Sequence, residues 1–151
     1  MTKADDRLIF LLFTAQQKIR NYLNQTIQAE NIRITVPQAG ILFLLKGKDG
    51  RTMSEIGQLM GLDNSTVTGL ADRLEKAGFL KRNSNPNDRR SSHLMITPEG
   101  LAEALKVRDI LHEANSRIKE GFSDEEIDCY KRVLRSFFGK FETGKKNQSL
   151  S

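Results

Sequence analysis

Between Asn64 and Ala77, apolar side chains recur every three or four positions, at Val67, Leu70, Ala71, Leu74 and Ala77. At about 100° per residue they fall within one arc roughly 120° wide, so the segment predicts an amphipathic helix. The opposite arc carries Ser65, Thr66, Thr68, Gly69, Asp72, Arg73 and Lys76, with small hydrogen-bonding residues first and cations later. A second stripe, Leu8, Leu11, Leu12, Ala15, Ile19, Tyr22, Leu23 and Ile27, predicts a long helix from about Asp5 to about Glu30. Ile9, Phe10 and Phe13 widen its apolar surface beyond what packing on a small domain uses, which points to a partner chain.

Local signals punctuate the rest. Thr35 and Gln38 form a capping-box pattern with Pro37 near the start, and they introduce a short helix containing Ile41, Leu42, Leu44 and Leu45. Lys48-Asp49-Gly50 reads as a turn. Thr52 and Glu55 repeat the capping pattern for a helix of about two turns whose inward face is Ile56, Leu59 and Met60, with Gly57 allowing close approach by the next helix. Gly61-Leu62-Asp63 then turns the chain: Gly61 suits a left-handed helix end, Leu62 plugs the corner, and Asp63 or Asn64 caps the helix that follows. Two short helices joined by a glycine turn make a helix-turn-helix.

Gly78 closes the second of these helices. Phe79–Arg82 and His93–Ile96 are the expected strands of a hairpin, separated by a polar loop from Asn83 to Ser92 that is rich in turn residues. The Arg89-Arg90 pair stands at the loop's tip, suited to a narrow minor groove where negative potential is concentrated. Thr97-Pro98-Glu99 starts a helix carrying Leu101, Ala104, Leu105, Leu111 and Ile118 to about Glu120. Ser123 and Glu126 form a third capping box, with Phe122 able to staple to Ile127, and begin a last helix with Tyr130, Val133, Leu134, Phe137, Phe138 and Phe141. Residues 143–151 read as a polar, frayed, flexible tail.

Length and composition narrow the class. The 151 residues suit one domain, and 38% hydrophobic with 28% charged residues suits a soluble, mainly helical protein. No apolar run approaches the roughly 18 residues of a membrane span, and Asp5 and Asp6 ahead of the apolar stretch do not fit a secretory signal, so a cytoplasmic location is expected. Charge is placed unevenly: residues 64–97 carry six cations against three carboxylates, so three of the five net positive charges sit on the helix and hairpin. That excess favours a polyanionic partner.

The single cysteine, Cys129, excludes an intrachain disulfide and a multi-cysteine metal site, and in a helix it reads as a small buried hydrophobe. His93 and His112 stand far apart without Cys or His at ligand spacing, so both read as structural or surface residues. No metal or other cofactor is expected. There is no nucleophile elbow, no Gly-rich phosphate loop and no His pair at metal spacing, which argues against an enzyme.

In this order, STVTGLADRLEKAGFL at 65–80, NDRR at 87–90 and LMITPEG at 94–100 closely resemble the MarR family across residues 5–142. The resemblance implies a mainly α fold with a small β-hairpin wing. Within a single MarR-like domain over 1–151, a winged helix-turn-helix at 37–97 is flanked by dimerisation helices at 5–36 and 98–142. It further implies a homodimer on a pseudo-palindromic operator in double-stranded DNA, acting as a repressor released by a small aromatic or anionic effector or, in some members, by cysteine oxidation. Recognition-helix contacts then fall on Asn64, Ser65, Thr66, Thr68 and Arg73, to which the cationic arc adds Lys76. On the wing, Arg90 reaches the minor groove beside Arg89, and Asp88 orients the arginines, starts a tight turn, or does both.

Two departures from the family pattern matter. Gly69 stands where many members have an arginine able to read guanine, so Gly69 is expected to let the helix approach the groove floor, with Thr66 and Thr68 on thymine methyls. The first helix also lacks the reactive cysteine of peroxide sensors, which favours an effector over thiol oxidation. The alternative class is a winged helix used only for protein contacts or dimerisation; such a module requires neither cations at the wing tip nor a recognition face free of large apolar residues.

Overall fold

The computed structural model describes residues 7–85 and 88–142, with side chains omitted over 85–91. Among the described residues, six helices and three strands lie in the order α1 (Leu8–Ala29), α2 (Val36–Gly47), β1 (Arg51–Thr52), α3 (Met53–Met60), α4 (Asn64–Lys76), β2 (Leu80–Asn85), β3 (Asp88–Ile96), α5 (Pro98–Lys119) and α6 (Asp124–Lys140). Two compact units divide the chain, Met1–Glu113 and Ala114–Ser151. None of the described helices is long and apolar enough to cross a membrane.

The helix starts follow from local chemistry. Thr35, Thr52 and Ser123 each accept the backbone N–H three residues on, while Gln38, Glu55 and Glu126 reach back to the capping residue's own N–H. Each box satisfies two of the donors a helix start leaves open. The α3–α4 corner is equally local. Gly61 takes a left-handed φ of 66°, the Leu62 N–H bonds the Gly57 carbonyl at 2.9 Å, and a Cβ on Gly57 would sit 2.9 Å from the Leu62 carbonyl oxygen and 3.5 Å from Val67. Leu62 is half-buried at this corner. At the far end of α4, Gly78 (φ 80°) closes a Schellman motif in which Phe79 N–H bonds Leu74 O and Gly78 N–H bonds Glu75 O.

The core of the first unit forms where α4 packs against α2, α3 and β2. Ile41, Leu42, Leu45, Ile56, Val67, Ala71, Leu74 and Leu94 are completely buried, joined by Phe79, Leu80, Ala104 and Val107. Each large member contributes about 1.5–3 kcal/mol by leaving water. The sheet runs β1-β3-β2, antiparallel throughout.

Several expectations are corrected. The hairpin strands run much further than expected, through Asn83–Asn85 and Asp88–Ser92, because an antiparallel ladder needs only backbone partners and does not depend on an apolar pattern. β1, pairing Arg51 with Leu94 and Thr52 with His93, is too short to show any alternation. On α3 the inward face is Ile56 and Gly57, while Leu59 is 56% exposed; on α4, Ala77 follows the last turn and is exposed. On α5 the buried stripe is Glu103, Ala104, Val107 and Ile110, whereas Leu101, Leu105 and Leu111 are half-buried and Ile118 is 40% exposed.

On α1, only Leu23 and Ile27 of the expected stripe are buried, and Leu8 through Phe13 are all exposed. In the second unit α6 buries nothing: Tyr130, Val133, Phe138 and Phe141 are exposed, with Phe137 and Phe141 packed edge to face at 5.8 Å. Cys129 is exposed as well, with its Sγ 3.6 Å from Arg132 Nη2, contrary to the burial expected of a lone helical cysteine. A helix that covers no core of its own leaves its thiol in solvent. The expected tail at 143–151 lies outside the described residues.

Candidate nucleic-acid interface

The outward face of α4 is built by the residues that start it. Asp63 caps the helix: its Oδ1 accepts the Thr66 N–H at 2.7 Å and the Ser65 hydroxyl at 2.7 Å. The Ser65 hydroxyl and the Thr66 N–H together hold the Asp63 carboxyl at about 2. Asn64, Ser65 and Thr66 are exposed, whereas Thr68 is half-buried. The Thr68 hydroxyl donates to the Asn64 carbonyl at 2.7 Å and lies 3.5 Å from Met53 Sδ. Gly69 is exposed, and a Cβ there would meet nothing within 4 Å. Along this face no large apolar side chain interrupts the small polar groups.

Arg73 and Lys76 follow one and two turns further on, both exposed, and neither has a carboxylate partner among the described residues. Asp72 and Glu75 on the same helix would oppose a polyanion, but they are occupied. Arg82 on β2 donates through Nη2 to Asp72 Oδ1, and its Nε lies 3.0 Å from Glu75 Oε2, an ion pair whose N–H is not aimed at the oxygen. The guanidinium thus neutralises two carboxylates and ties the wing to the helix beside it. Reading the sequence missed this role. The signal was present in the period of the strand: Leu80 is buried, so Arg82 two positions on faces the same way, toward α4.

The base of the wing is stitched on both sides. The His93 ring lies 2.7 Å from the Gly50 carbonyl, which accepts only, so Nδ1 carries the proton. The Ile96 N–H bonds Asp49 Oδ1 at 2.9 Å, and the Gly50 N–H bonds Leu94 O at 2.9 Å. His93 is therefore structural. Behind α4, the Thr97 hydroxyl donates to Gly78 O at 2.7 Å and accepts the Gly100 N–H at 3.0 Å, while the Thr97 N–H reaches Phe79 O at 3.2 Å. The Arg33 guanidinium covers the Phe79 ring at 4.7 Å, and its backbone N–H donates to Glu103 Oε1 at 2.6 Å. Burial pushes the Glu103 carboxyl up, but the Arg33 N–H and Lys106 at 3.1 Å outweigh it and leave it below its ordinary value. These bonds fix the end of α4 and the root of the wing as one piece.

Of the residues expected at the interface, the structure brings Asn64, Ser65, Thr66, Arg73 and Lys76 onto one exposed face, with Thr68 partly withdrawn. Asp88, Arg89 and Arg90 lie on the backbone of β3 immediately after the hairpin's end, where Asp88 pairs with Asn85. Their side chains lie outside those described. No group of three or more His, Cys, Asp or Glu suited to a metal exists among the described residues. A cavity of about 170 Å³ between α1 and α5 is lined by Tyr22, Thr26, Glu30, Asp109, Ile110 and Glu113, so carboxylates dominate its polar lining.

Comparison with known proteins agrees with this geometry. The model of the MarR family matches residues 34–92. YfiV, an HTH-type transcriptional regulator of Bacillus subtilis (strain 168), is 42% identical over 113 residues, covering 75% of this chain and 71% of its own length. The transcriptional repressor CouR, solved bound to a 23-mer DNA duplex, superposes with a TM-score of 0.79 at 25% identity, over 91% of this chain and 96% of that one. The PcaV transcriptional regulator from Streptomyces coelicolor, solved with its natural ligand, gives 0.81 at 25% identity, over 94% and 100%.

Proposed function

Because the chain belongs to the MarR family of transcriptional regulators, we propose that it acts as a sequence-specific, ligand-responsive repressor, binding a pseudo-palindromic operator in double-stranded DNA as a homodimer. Residues 37–97 form the DNA-binding module, and residues 5–36 and 98–142 the dimerisation helices, within one functional domain. Asn64, Ser65, Thr66 and Thr68 face base edges, Arg73 and Lys76 hold phosphates, and Arg89 and Arg90 enter the minor groove, oriented by Asp88. Its work is binding, without a catalytic step.

The observation that carries this proposal is the outward face of α4. Small polar residues open it, cations with no carboxylate partner among the described residues follow, and the two carboxylates that would repel DNA are taken up by Arg82. A protein-contact module has no use for that arrangement. Support for the homodimer comes from exposed apolar residues on the two terminal helices, Phe10 at 58% and Phe13 at 65% on α1 and Phe138 at 77% and Phe141 at 71% on α6. Six consecutive exposed apolar residues, Leu8 to Phe13, run right round a helix at about 100° per residue, so their cover has to come from more than one side.

That PcaV was solved in complex with its natural ligand supports an effector here too. The effector proposed for this chain is small and aromatic or anionic, the class that the family resemblance implies. The carboxylate-lined cavity between α1 and α5 would repel an anion, so an anionic effector needs a different site.

Selection of bound fragments from the host's own DNA tests the proposal. The expected result is a footprint of two inverted half-sites about one helical turn apart, released by a small molecule. Failure to enrich any fragment would overturn it.

A further inference from the structure

A serine hydroxyl on a recognition helix ordinarily reads either kind of base edge, because its proton can point outward or inward. On α4 that freedom is gone. The Ser65 hydroxyl lies 2.7 Å from Asp63 Oδ1, and an ionised carboxylate accepts hydrogen bonds and cannot donate, so the Ser65 proton lies on that bond. The same oxygen caps the helix through the Thr66 N–H at 2.7 Å, which holds the carboxylate in place. Thr68 is committed in the same sense, its proton bound to the Asn64 carbonyl at 2.7 Å, but it is half-buried. Ser65 is exposed and turns lone pairs alone outward.

We infer that Asp63 sets the base preference of the recognition helix by making Ser65 an acceptor-only probe, so that the base facing Ser65 is adenine or cytosine. Those bases present amino donors in the major groove, N6 of adenine and N4 of cytosine, whereas guanine O6 and thymine O4 would meet the serine oxygen acceptor to acceptor. An A·T pair would at the same time offer a thymine methyl to the neighbouring threonines. Asp63 is a positioning residue here: it touches no base and acts through Ser65. The inference rests on α4 lying in the major groove.

The test is selection from a randomised duplex library by the full-length wild type, Ser65→Ala and Asp63→Gly. Glycine is chosen because it replaces an acidic cap at a cost of only about a few tenths of a kcal/mol. The wild type is expected to enrich adenine or cytosine at one position per half-site whose preference Ser65→Ala erases, leaving the others intact. Asp63→Gly frees the proton, and that position then accepts guanine and thymine as well. Replacing adenine there by unsubstituted purine, which lacks the amino group, should weaken wild-type binding about 5- to 150-fold and leave Ser65→Ala unaffected.

Enrichment of guanine or thymine at the Ser65-dependent position, absence of any such position, or an Asp63→Gly preference identical to the wild type's would overturn the inference while leaving DNA binding standing. A wild type that enriches no sequence at all would overturn the DNA-reading function, and the inference with it.

Discussion

Alanine in place of Gly100 and alanine in place of Gly69 are the same substitution in two helices, and the structure gives them opposite signs. A Cβ on Gly100 would overlap the Phe79 carbonyl oxygen and lie 2.8 Å from its carbon and 3.1 Å from its Cα, all backbone atoms. No rotamer relieves that. The first turn of α5 has to withdraw by about an ångström, loosening the Thr97 bonds to Gly78 O and Phe79 O, where Phe79 is 1% and Thr97 6% exposed. Overpacking costs about 1–3 kcal/mol and two buried hydrogen bonds about 1 kcal/mol each, against up to about 1 kcal/mol returned by alanine's helix propensity. The net is a loss of about 2–4 kcal/mol, or a fall in Tm of roughly 5–15 °C for a chain of this size.

At Gly69 no atom lies within 4 Å of the added Cβ, so propensity acts alone and stability rises by about 1 kcal/mol, or about 2–4 °C. Thermal unfolding followed by circular dichroism, at one protein concentration because a dimer's Tm depends on it, reads both. Gly100→Ala as stable as the wild type would refute the junction between α4, the wing and α5. Gly69→Ala is further expected to weaken specific DNA binding by holding the helix off the groove floor; unchanged operator affinity would refute that close approach.

Arg82→Ala should cost only about 1 kcal/mol of stability, since its carboxylate partners are 57% and 44% exposed and surface ion pairs are weak. It should nonetheless weaken DNA binding severalfold by fluorescence anisotropy, because Asp72 and Glu75 then face the phosphates unneutralised; an affinity equal to the wild type's would contradict this. Asp63, held at about 2, and Glu103, below its ordinary value, both have folded pKa values beneath their unfolded ones, so their contributions are complete above the unfolded values and are lost as pH falls through the folded ones. Denaturant unfolding should therefore show this contribution constant from about pH 7 to about pH 5 and declining below about pH 4, whereas a rise on acidification would oppose the assignment. Cys129→Ser should leave peroxide sensitivity of DNA binding unchanged if an effector is the trigger, and loss of a peroxide response in that variant would assign sensing to the thiol.

What could be read from the sequence was local. The boxes at Thr35–Gln38, Thr52–Glu55 and Ser123–Glu126 close within four residues, and so does the Gly61 corner, so spacing alone identifies them. The buried face of α5 could not be read that way. Glu103 is buried because a backbone N–H seventy positions earlier and Lys106 receive its carboxylate, and a charged residue at an inward position breaks the apolar pattern. The outer wing segments, Asn83–Asn85 and Asp88–Ser92, contain only polar residue types, which leaves no alternation to find. The polar outward face of α4 was legible from periodicity, and Asp63 as a cap from spacing. The pairing of Arg82 with Asp72 and Glu75, and of Asp63 with Ser65, joins particular atoms that the strand and helix periods hint at without placing.

The central claim is that the face of α4 and the wing bind duplex DNA, and the salt dependence of binding tests it most directly. Affinity for an operator-bearing duplex should fall by about a thousandfold or more between about 50 and about 200 mM salt, as phosphate-bound counterions are released, and Arg89→Glu with Arg90→Glu should abolish it. Weak binding that does not change with salt, or full affinity retained by the charge-reversed wing, would contradict it.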